Sequence, residues 1–383
     1  MREKETLYIV FDQLPLKSSG GLVMSYVNFV KAFKDVFDIR FVSIFNHEPS
    51  DIEEFKDIDI IDLSKFAIDN RFYRLLEYLR KGEILLFVKA VCSLFFFFMY
   101  IPVARNKTKK IFANKKVVVS CPAAAIFMSK KTSFILEVHT KYDYFWGSNL
   151  LGRAQSALMA DPLVTVFRSK CDARRAKSKF NSDYVYSYFD DSALSVPVYE
   201  PEKRKYRVLF MGRLSAEKNP FFLLDCAEAI KHRINSFCLD IFGDGELKES
   251  LAKEIKKRNM EKYVTLKGYI SDKSVFSNYS LLWLPSKNEG LPLVIIEAMA
   301  NKVPVVTTHW GDAAFEIVED GVTGFVVDDI DEFIQASMKV LTDEESARYL
   351  SENAFQLYKE KFTLQSYKAK WMDILDVVFS ENL

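Results

Sequence analysis

Two glutamates eight residues apart are the first candidates for chemistry in this sequence. An apolar run of strand length, Leu281–Leu284, is followed by a loop that carries Glu289. A helix is predicted from near Pro292, because proline suits a first helical turn, and Glu297 lies within that helix. Both carboxylates could therefore face one site beyond the carboxyl end of a strand. The alternative is that Glu289 only complements the helix dipole and that Glu297 is a solvated helix residue.

Two cations, Arg213 and Lys218, follow another predicted strand in the same half of the chain. They lie five residues apart in the loop that precedes a predicted helix. From such positions an arginine fork and a mobile lysine can bind adjacent phosphates. The alternative is a pair of unconnected surface charges.

The front half carries a glycine pair and a histidine after two of its predicted strands. Gly20-Gly21 closes the loop between a strand at residues 7–11 and a helical pattern at 22–33. Such a loop can bring backbone N–H groups close to a phosphate, although composition alone favours a simple turn. His139 follows a strand at 134–138, and open α/β sheets bind ligands at the carboxyl ends of their strands. A lone histidine is nevertheless usually structural.

The elements that must position these residues alternate between strand and helix along both halves, which predicts two α/β domains with largely parallel sheets. Residues 191–205 lack periodicity and contain two prolines, so they are the predicted linker. The linker separates a domain at 1–190 from a domain at 206–362, and a last helical pattern occupies 363–383. The predicted strands lie at residues 7–11, 39–45, 58–63, 117–120, 134–138, 164–167, 208–211, 238–242, 264–267, 281–284, 303–306 and 325–327.

The composition is that of a folded protein with little net charge. A chain of 383 residues with 49% hydrophobic content can form two full cores. The net charge is +1, but residues 1–200 carry six excess positive charges and the remainder five excess negative charges. Nucleic acid is a poor candidate partner, because no recognised nucleic-acid module accompanies the positive charge. The five cysteines, without a paired metal spacing, indicate a reducing compartment, and the apolar run at 7–11 is too short for a signal peptide.

One segment, residues 84–104, is long and apolar enough to cross a membrane, with a single charge at Lys89. Spanning is rejected because strands of one sheet would then lie on opposite sides of the bilayer. Either the segment is a buried core helix, or region 80–116 lies in the membrane interface, and the basic flanks favour the interface. From Arg80 to Lys131 there are 11 Lys or Arg and a single acid, Glu83. The basic residues expected on the headgroups are Arg80, Lys81, Arg105, Lys107, Lys109 and Lys110.

The segment around the two glutamates resembles the glutamate-x7-glutamate motif of retaining GT-B glycosyltransferases, specifically glycosyltransferase family 4. Four further segments resemble motifs of that family, in its order and at its spacing: VLFMGRLSAEKN at 208–219, FGDGE at 242–246, LKGY at 266–269 and DGVTGFV at 320–326. The combination is far more specific than any one motif. The resemblance implies the GT-B fold, an α/β architecture of two Rossmann-like doubly wound domains facing across a cleft. The first domain would bind the acceptor and the second the nucleotide sugar, and the last helix would cross back to the first domain.

The resemblance also implies roles for the candidate residues. Arg213 and Lys218 would bind the donor phosphates, Glu297 the ribose hydroxyls, and Glu289 would stabilise positive charge developing on the donor sugar. His139 resembles the family's cleft histidine near the donor sugar and acceptor, which completes the candidate catalytic set of Glu289, His139, Arg213 and Lys218. The other implied donor contacts are Gly20, Gly21, Gly243, Tyr269, Ile270, Gly290 and Leu291, with the backbone around Tyr269 and Ile270 reading the base. Tyr142 and Asp143 are candidate acceptor contacts.

Two departures from the family pattern stand out. Lys302 occupies a position after the Glu297 helix where the family usually has glycine, and where a left-handed residue often ends a helix. Asn301 or an altered cap would have to compensate. The front half matches only at Gly20-Gly21 and His139, so the resemblance says little about the acceptor.

The resemblance implies a retaining glycosyltransferase that uses a nucleotide sugar, expected to be UDP-linked, with no cofactor. The sequence has no evident metal-site motif, so metal-independent transfer is expected. Its expected acceptor is a bacterial surface glycan: a lipid-linked oligosaccharide, capsule or teichoic-acid type polymer. It would be cytoplasmic and peripheral on the inner face of the cell membrane. The rival hypotheses are a non-catalytic GT-B-fold subunit that binds glycan or a partner glycosyltransferase, and a GT-B epimerase, which would need further acid and base residues.

Overall fold

The computed structural model describes residues 4–15, 21–45, 52–65, 75–146, 150–192 and 204–380. The chain divides into two compact units. Unit 1 comprises Met1–Arg168, Asp172–Val185 and Lys370–Leu383, and unit 2 comprises Ser169–Cys171 and Tyr186–Ala369.

Unit 1 is built on a seven-stranded sheet in which every strand pair is parallel. Its strands are β1 (Glu5–Phe11), β2 (Phe37–Ser43), β3 (Ile60–Asp62), β4 (Lys116–Val119), β5 (Ile135–Val138), β6 (Val164–Phe167) and β7 (Ser182–Tyr184). Their order is β3-β2-β1-β4-β5-β6-β7, so the strand order reverses between β1 and β4. In open α/β sheets that reversal is the place where ligands bind.

Several α-helices lie between these strands along the described part of the chain. They are α1 (Gly21–Phe33), α2 (Leu75–Arg80), α3 (Ile84–Ile111), α4 (Pro122–Ala125), α5 (Tyr142–Trp146), α6 (Leu150–Leu158) and α7 (Lys170–Ala176). Strand β7 was not predicted from the sequence: it has only three residues, and only one of them is buried. Helix α3 continues to Ile111, seven residues past the predicted end of the apolar segment.

Helix α3 is long and apolar enough to cross a membrane by length and composition. It connects β3 to β4, however, and β4 pairs with β1 in the same sheet as β3. A spanning α3 would separate β1 from the strand to which it is hydrogen-bonded. The reason for rejecting a membrane span therefore holds in the structure.

Unit 2 contains a second parallel sheet with the same reversal of strand order. Its strands are β8 (Arg207–Met211), β9 (Cys238–Phe242), β10 (Val264–Gly268), β11 (Leu281–Leu284), β12 (Val305–Thr308) and β13 (Phe325–Val327). They lie in the order β10-β9-β8-β11-β12-β13, and the reversal falls between β8 and β11. The sequence placed all six strands within two residues of these bounds.

Alternating residues of the unit 2 strands pack into two separate cores, one on each face of the sheet. Phe210 and Trp283 belong to one core, whereas Leu209 and Leu282 belong to the other. Successive side chains of a strand point to opposite faces, so a sheet covered by helices on both faces needs continuously apolar strands. The helices along this half are α8 (Pro220–Lys231), α9 (Lys248–Lys257), α10 (Leu293–Ala300), α11 (Ala314–Ile317), α12 (Ile330–Thr342), α13 (Glu344–Lys361) and α14 (Leu364–Ser380).

The passage from one unit to the other differs in detail from the predicted boundaries. The main segment of unit 2 begins at Tyr186, five residues before the predicted linker. Phe189 is already part of unit 2, because its N–H donates to the carbonyl of Phe362 at 3.1 Å. Most of the predicted linker lies outside the described residues. Helix α14 starts in unit 2, and its residues from Lys370 onward belong to unit 1, where Trp371 packs edge-on against Phe29.

The end of α10 shows how the chain accommodates Lys302. The N–H of Val303 donates to the carbonyl of Ala298 at 2.9 Å, and that of Lys302 to Met299 at 3.1 Å, which is the Schellman ending of a helix. This ending requires a left-handed residue, and Lys302 adopts it with φ of 53°. Its side chain is ion-paired with Glu352 at 2.7 Å.

Two substitutions of Lys302 separate the free-energy cost of its left-handed backbone conformation from the contribution of its side-chain contacts. Lys302→Ala and Lys302→Gly both lose the ion pair, but only glycine relieves the left-handed backbone. We expect the glycine variant to be about 1 kcal/mol more stable than the alanine variant, or about 2–4 °C in thermal midpoint. Thermal unfolding of the two variants side by side measures this, and equal midpoints would contradict it.

Candidate functional site

Three loops at the carboxyl edge of the unit 2 sheet are joined by backbone hydrogen bonds. The N–H of Leu214, in the loop after β8, donates to Asp244 in the loop after β9 at 2.8 Å. The N–H of Lys287, in the loop after β11, donates to the carbonyl of Glu217 at 2.8 Å. The loops that carry the predicted cations and the predicted carboxylate are therefore held to one another at the point where the strand order reverses.

Gly243 allows two of these loops to approach closely. Its φ is 135°, and a Cβ there would lie 1.8 Å from the carbonyl oxygen of Gly212. No side chain fits that gap, so the predicted glycine turn has a packing reason of its own. Whether Gly243 also contacts a ligand stays a prediction.

Lys218 and Glu289 form an ion pair across the β8 and β11 loops. The lysine side chain is 21% exposed and the glutamate side chain 10% exposed. The hydroxyl of Ser286 donates to the same Glu289 oxygen, Oε1, at 2.6 Å, and the hydroxyl of Thr308 donates to the carbonyl of Ser286 at 2.6 Å. The Glu289 carboxylate is thus held by Lys218 from the loop after β8 and by Ser286 from its own loop. The alternative, that Glu289 only complements the helix dipole, does not account for these contacts.

The two predicted phosphate cations lie in different surroundings. An ammonium group has three N–H donors, so Lys218 keeps donors for a phosphate while it holds Glu289. Arg213 lies exposed in the same loop. Lys218 is therefore held against Glu289, and Arg213 is exposed to solvent.

Glu297 has a cationic partner that the sequence analysis missed. Lys273 Nζ lies 3.0 Å from Glu297 Oε2 and 3.2 Å from the sulfur of Met211. Burial raises the pKa of the Glu297 carboxyl above its usual value, and Lys273 opposes that rise. Glu297 is a half-buried, paired carboxylate and not a solvated helix residue.

A local signal for Lys273 exists in the sequence. The carboxylate of Asp272 caps a short 3₁₀ turn by accepting the N–H of Ser274 at 2.9 Å, which fixes the start of the segment Lys273–Asn278. An Asp-x-Ser turn could have marked Lys273 as a positioned residue. Its pairing with Glu297, 24 residues away, could not be read from spacing.

The remaining predicted donor contacts lie around the same edge of unit 2. Tyr269 is 79% exposed just after β10, at the edge of the sheet, and Ile270 packs partly buried against the core. Gly290 and Leu291 precede α10, which starts at Leu293 with Pro292 as its N-cap, one residue later than predicted. The N–H groups of Gly290 and Leu291 therefore belong to the loop and not to the first helical turn.

In unit 1, His139 belongs to a closed ring of hydrogen bonds. Arg168 Nε donates to His139 Nδ1 at 3.3 Å, and His139 Nε2 lies 3.1 Å from the hydroxyl of Tyr26. Tyr26 donates to Glu137 Oε2 at 2.7 Å, and Arg168 Nη2 closes the ring on Glu137 Oε1. One assignment satisfies every contact: a neutral imidazole whose Nε2 carries the proton and donates to Tyr26.

Burial governs the protonation of this ring. Burial lowers the pKa of His139, although Glu137 opposes the change, so the imidazole is neutral near pH 7. Burial alone would raise the pKa of Glu137, but Arg168 and His139 together lower it to about 2. Both ring nitrogens of His139 have protein partners. Proton transfer by His139 would thus require one of these bonds to break.

Arg168 differs from the other basic residues of its segment. It begins a basic run that extends to Lys179, in which Arg174 and Arg175 are exposed but Arg168 is not. Arg168 follows β6 and is buried beside Glu137.

The candidate acceptor residues have protein contacts of their own. The N–H of Tyr142 donates to Asp172 at 2.9 Å, and its ring stacks on Trp146. Asp143 forms an exposed ion pair with Arg175 at 2.9 Å. Gly21 is the first residue of α1, and Gly20 lies outside the described residues.

A search of the described residues finds no group of three or more His, Cys, Asp or Glu that could hold a metal ion. The expectation of metal-independent chemistry stays a prediction. The described cysteines are all free thiols; Cys226 is buried, whereas Cys92 is exposed and so does not serve as a small core residue.

Comparison with known proteins identifies the class. Residues 194–357 match the family described as Glycosyl transferases group 1. A poly(glycerol-phosphate) alpha-glucosyltransferase of Bacillus subtilis (strain 168) is 32% identical over 187 residues, which are 48% of this chain and 27% of that protein. The chain spans 27–42% of the length of the first curated relatives that it matches.

Solved structures show the same fold over nearly the whole chain. A mutant of S. aureus TarM in complex with fondaparinux, alpha-GlcNAc-glycerol and UDP superposes with a TM-score of 0.71 at 14% identity, covering 97% of this chain and 100% of that one. Anabaena Alr3699/HepE in complex with UDP gives a TM-score of 0.72 at 16% identity, covering 97% and 100%. The protein therefore has the α/β GT-B glycosyltransferase fold, and the match to the glycosyl transferases group 1 family covers residues 194–357.

Removing Lys273 tests the pairing with Glu297. In Lys273→Met the pKa of Glu297 should rise further. When a carboxyl has a higher pKa in the folded state than in the unfolded state, the folded protein loses stability as the pH rises from the unfolded-state pKa to the folded-state pKa. The variant should therefore lose about 2 kcal/mol at pH 8, or about 4–8 °C in thermal midpoint, and less at pH 5.

The matched control is Lys248→Met, which removes a lysine from an exposed pair with Asp244. That variant should lose less than about 1 °C. An equal loss for Lys273→Met at both pH values would contradict the assigned pairing.

Proposed function

We propose that this protein is a retaining glycosyltransferase that moves a sugar from a UDP-sugar to a bacterial surface glycan. The observation that carries the proposal is the Lys218–Glu289 ion pair at the reversal of strand order in unit 2. In the proposed reaction Lys218 stabilises the leaving diphosphate, and Glu289 beside it stabilises the positive charge that develops on the donor sugar. A surface role for Glu289 would not need the hydrogen bond from Ser286 that fixes its carboxylate.

The proposed reaction breaks the bond between the anomeric carbon and the β-phosphate oxygen, and the electron pair leaves with UDP. An acceptor hydroxyl forms the new bond on the same face of the sugar, and its proton passes to the departing phosphate oxygen. Lys218 and Arg213 stabilise the charge that accumulates on the diphosphate. Glu289 stabilises the positive charge on the sugar ring.

Nucleotide recognition is assigned to the second carboxylate and its surroundings. Glu297 accepts hydrogen bonds from the ribose hydroxyls, and Lys273 orients it for that role and opposes the rise in its pKa that burial causes. The backbone at Tyr269 and Ile270 reads the base, and the N–H groups of Gly290 and Leu291 serve sugar hydroxyls or phosphate. In unit 1, His139, Tyr142 and Asp143 are assigned to the acceptor side.

The relatives support the donor and acceptor classes. The TarM and HepE structures contain UDP, and the Bacillus relative is a poly(glycerol-phosphate) alpha-glucosyltransferase. Another relative, from Campylobacter jejuni and 31% identical over 172 residues, acts on a PP-undecaprenol-linked glycan. We therefore assign a UDP-sugar as donor and a wall polymer, capsule or lipid-linked glycan as acceptor.

Metal-independent transfer is part of the proposal. A diphosphate leaving group needs positive charge, and Lys218 with Arg213 can supply it without an ion. No cofactor is needed for a displacement at an anomeric carbon.

The test is nucleotide release from UDP-, GDP- and ADP-sugars by the full chain, compared with its variants. Lys218→Ala and Arg213→Ala should each lower kcat by about 100- to 1,000-fold, which corresponds to about 3–4 kcal/mol of transition-state stabilisation. Glu289→Gln should lower kcat as well, because the amide keeps the size of the side chain but not its charge.

The control is Lys257→Ala, which removes a strongly exposed lysine of the same unit and should leave kcat unchanged. Nucleotide release that survives both Lys218→Ala and Glu289→Gln would refute the site. Binding of UDP without release from any donor would instead favour a non-catalytic subunit.

A further inference from the structure

The first part of α3 is apolar around most of its circumference, but only one narrow stripe of it is buried. The buried side chains recur at helical spacing on one side: Ala90, Phe97, Ile101, Ala104 and Thr108. At about 100° per residue, the large exposed apolar side chains cover an arc of about 160° on the opposite side. They are Ile84, Leu85, Val88, Val91, Phe95, Phe96, Phe98, Met99 and Val103.

This exposure excludes one of the two alternatives for the segment. A core helix would be mostly buried, but only 17% of the most apolar stretch of α3 is buried within the protein. Phe95 is 63% exposed and Phe96 60% exposed. A contiguous apolar surface of this extent marks an interaction site.

The second part of α3 anchors the helix to unit 1. Phe112 and Ile101 belong to the core of the unit. The guanidinium of Arg105 donates to the carbonyls of Ile126, at 3.1 Å, and Leu158. The ammonium of Lys107 donates to the carbonyl of Leu63. Arg105 and Lys107 therefore help to hold the helix in place, and their contact with headgroups stays a prediction.

The charges beside the apolar surface indicate what covers it. Arg80 and Lys81 lie exposed just before α3, Lys89 lies exposed in its second turn, and Lys109 and Lys110 lie exposed at its end. Glu83 is the only acid among residues 80–131. An apolar face bordered by positive charge is complementary to an anionic bilayer, in which acyl chains lie beneath negative headgroups. A second copy of the chain would bring the same positive charges together.

We propose that α3 lies in the interface of an anionic membrane, with its Phe95-Phe96 face among the acyl chains and unit 1 outside the bilayer. The pairing of β1 with β4 keeps both ends of α3 on one side of the membrane. The docking surface uses no residue of the proposed site in unit 2. It would hold the protein at the surface where a lipid-linked acceptor is found.

Vesicle sedimentation of the full chain tests the proposal. The protein should bind vesicles of phosphatidylcholine with phosphatidylglycerol, and at least about tenfold less to phosphatidylcholine alone. The variant Phe95→Gln/Phe96→Gln/Met99→Gln should lower the partition coefficient by about 100-fold. Glutamine retains helix propensity, so the thermal midpoint and nucleotide release should be unchanged.

A matched variant removes three exposed apolar side chains outside α3: Phe315→Gln/Tyr349→Gln/Val377→Gln. It should bind vesicles like the wild type. Equal loss in both triple variants, or vesicle binding that survives the α3 variant, would overturn the proposal. A dimer in solution that dissociates in the α3 variant, without vesicle binding by the wild type, would assign the face to a second copy instead.

Insertion is measured with an environment-sensitive dye on Cys92, which is exposed within the apolar arc. Its emission should shift to the blue with anionic vesicles, and labelled Cys92→Ser protein gives the background from the other thiols. Vesicle binding without a shift would show adsorption by charge alone and would contradict insertion. Each outcome is independent of whether the protein transfers a sugar.

Discussion

The ion pair between Lys218 and Glu289 is the contact on which the functional interpretation depends. It joins the loops after β8 and β11, the two neighbouring strands between which the order of the unit 2 sheet reverses. Parallel strands bring these loops to one edge, and Gly243 lets the loop after β9 pack against them without a side chain between. Opposite charges that are largely shielded from water attract more strongly than they would at the surface. The proposed site is therefore organised by the protein itself, with a cation and a carboxylate already in place.

Much of the fold follows from the sequence because most strands are continuous apolar runs between clear breaks. The predicted strands at 164–167, 238–242 and 281–284 match β6, β9 and β11 residue for residue. The short strand β7 was missed because three residues give no periodicity. The site was harder to predict. Lys273 pairs with a carboxylate 24 residues away and Arg168 with one 31 residues away, and no local spacing in the sequence indicates either pair.

The buried face of helix α3 could not be predicted from the sequence either. Where nearly every residue is apolar, periodicity cannot tell which face is buried. Only the burial of Phe97 and Ile101 shows which narrow stripe of α3 packs against the rest of unit 1 and which wide face is exposed. Nothing in the sequence indicates the contacts of His139. Both of its ring nitrogens have hydrogen-bond partners in its own unit, Arg168 and Tyr26.

The most direct test of the central claim is a crystal structure of the full chain with UDP. We expect diphosphate oxygens within about 3 Å of Lys218 Nζ and ribose hydroxyls within about 3 Å of the Glu297 carboxylate. UDP bound elsewhere on the protein, with neither Lys218 nor Glu297 in contact with it, would contradict the account.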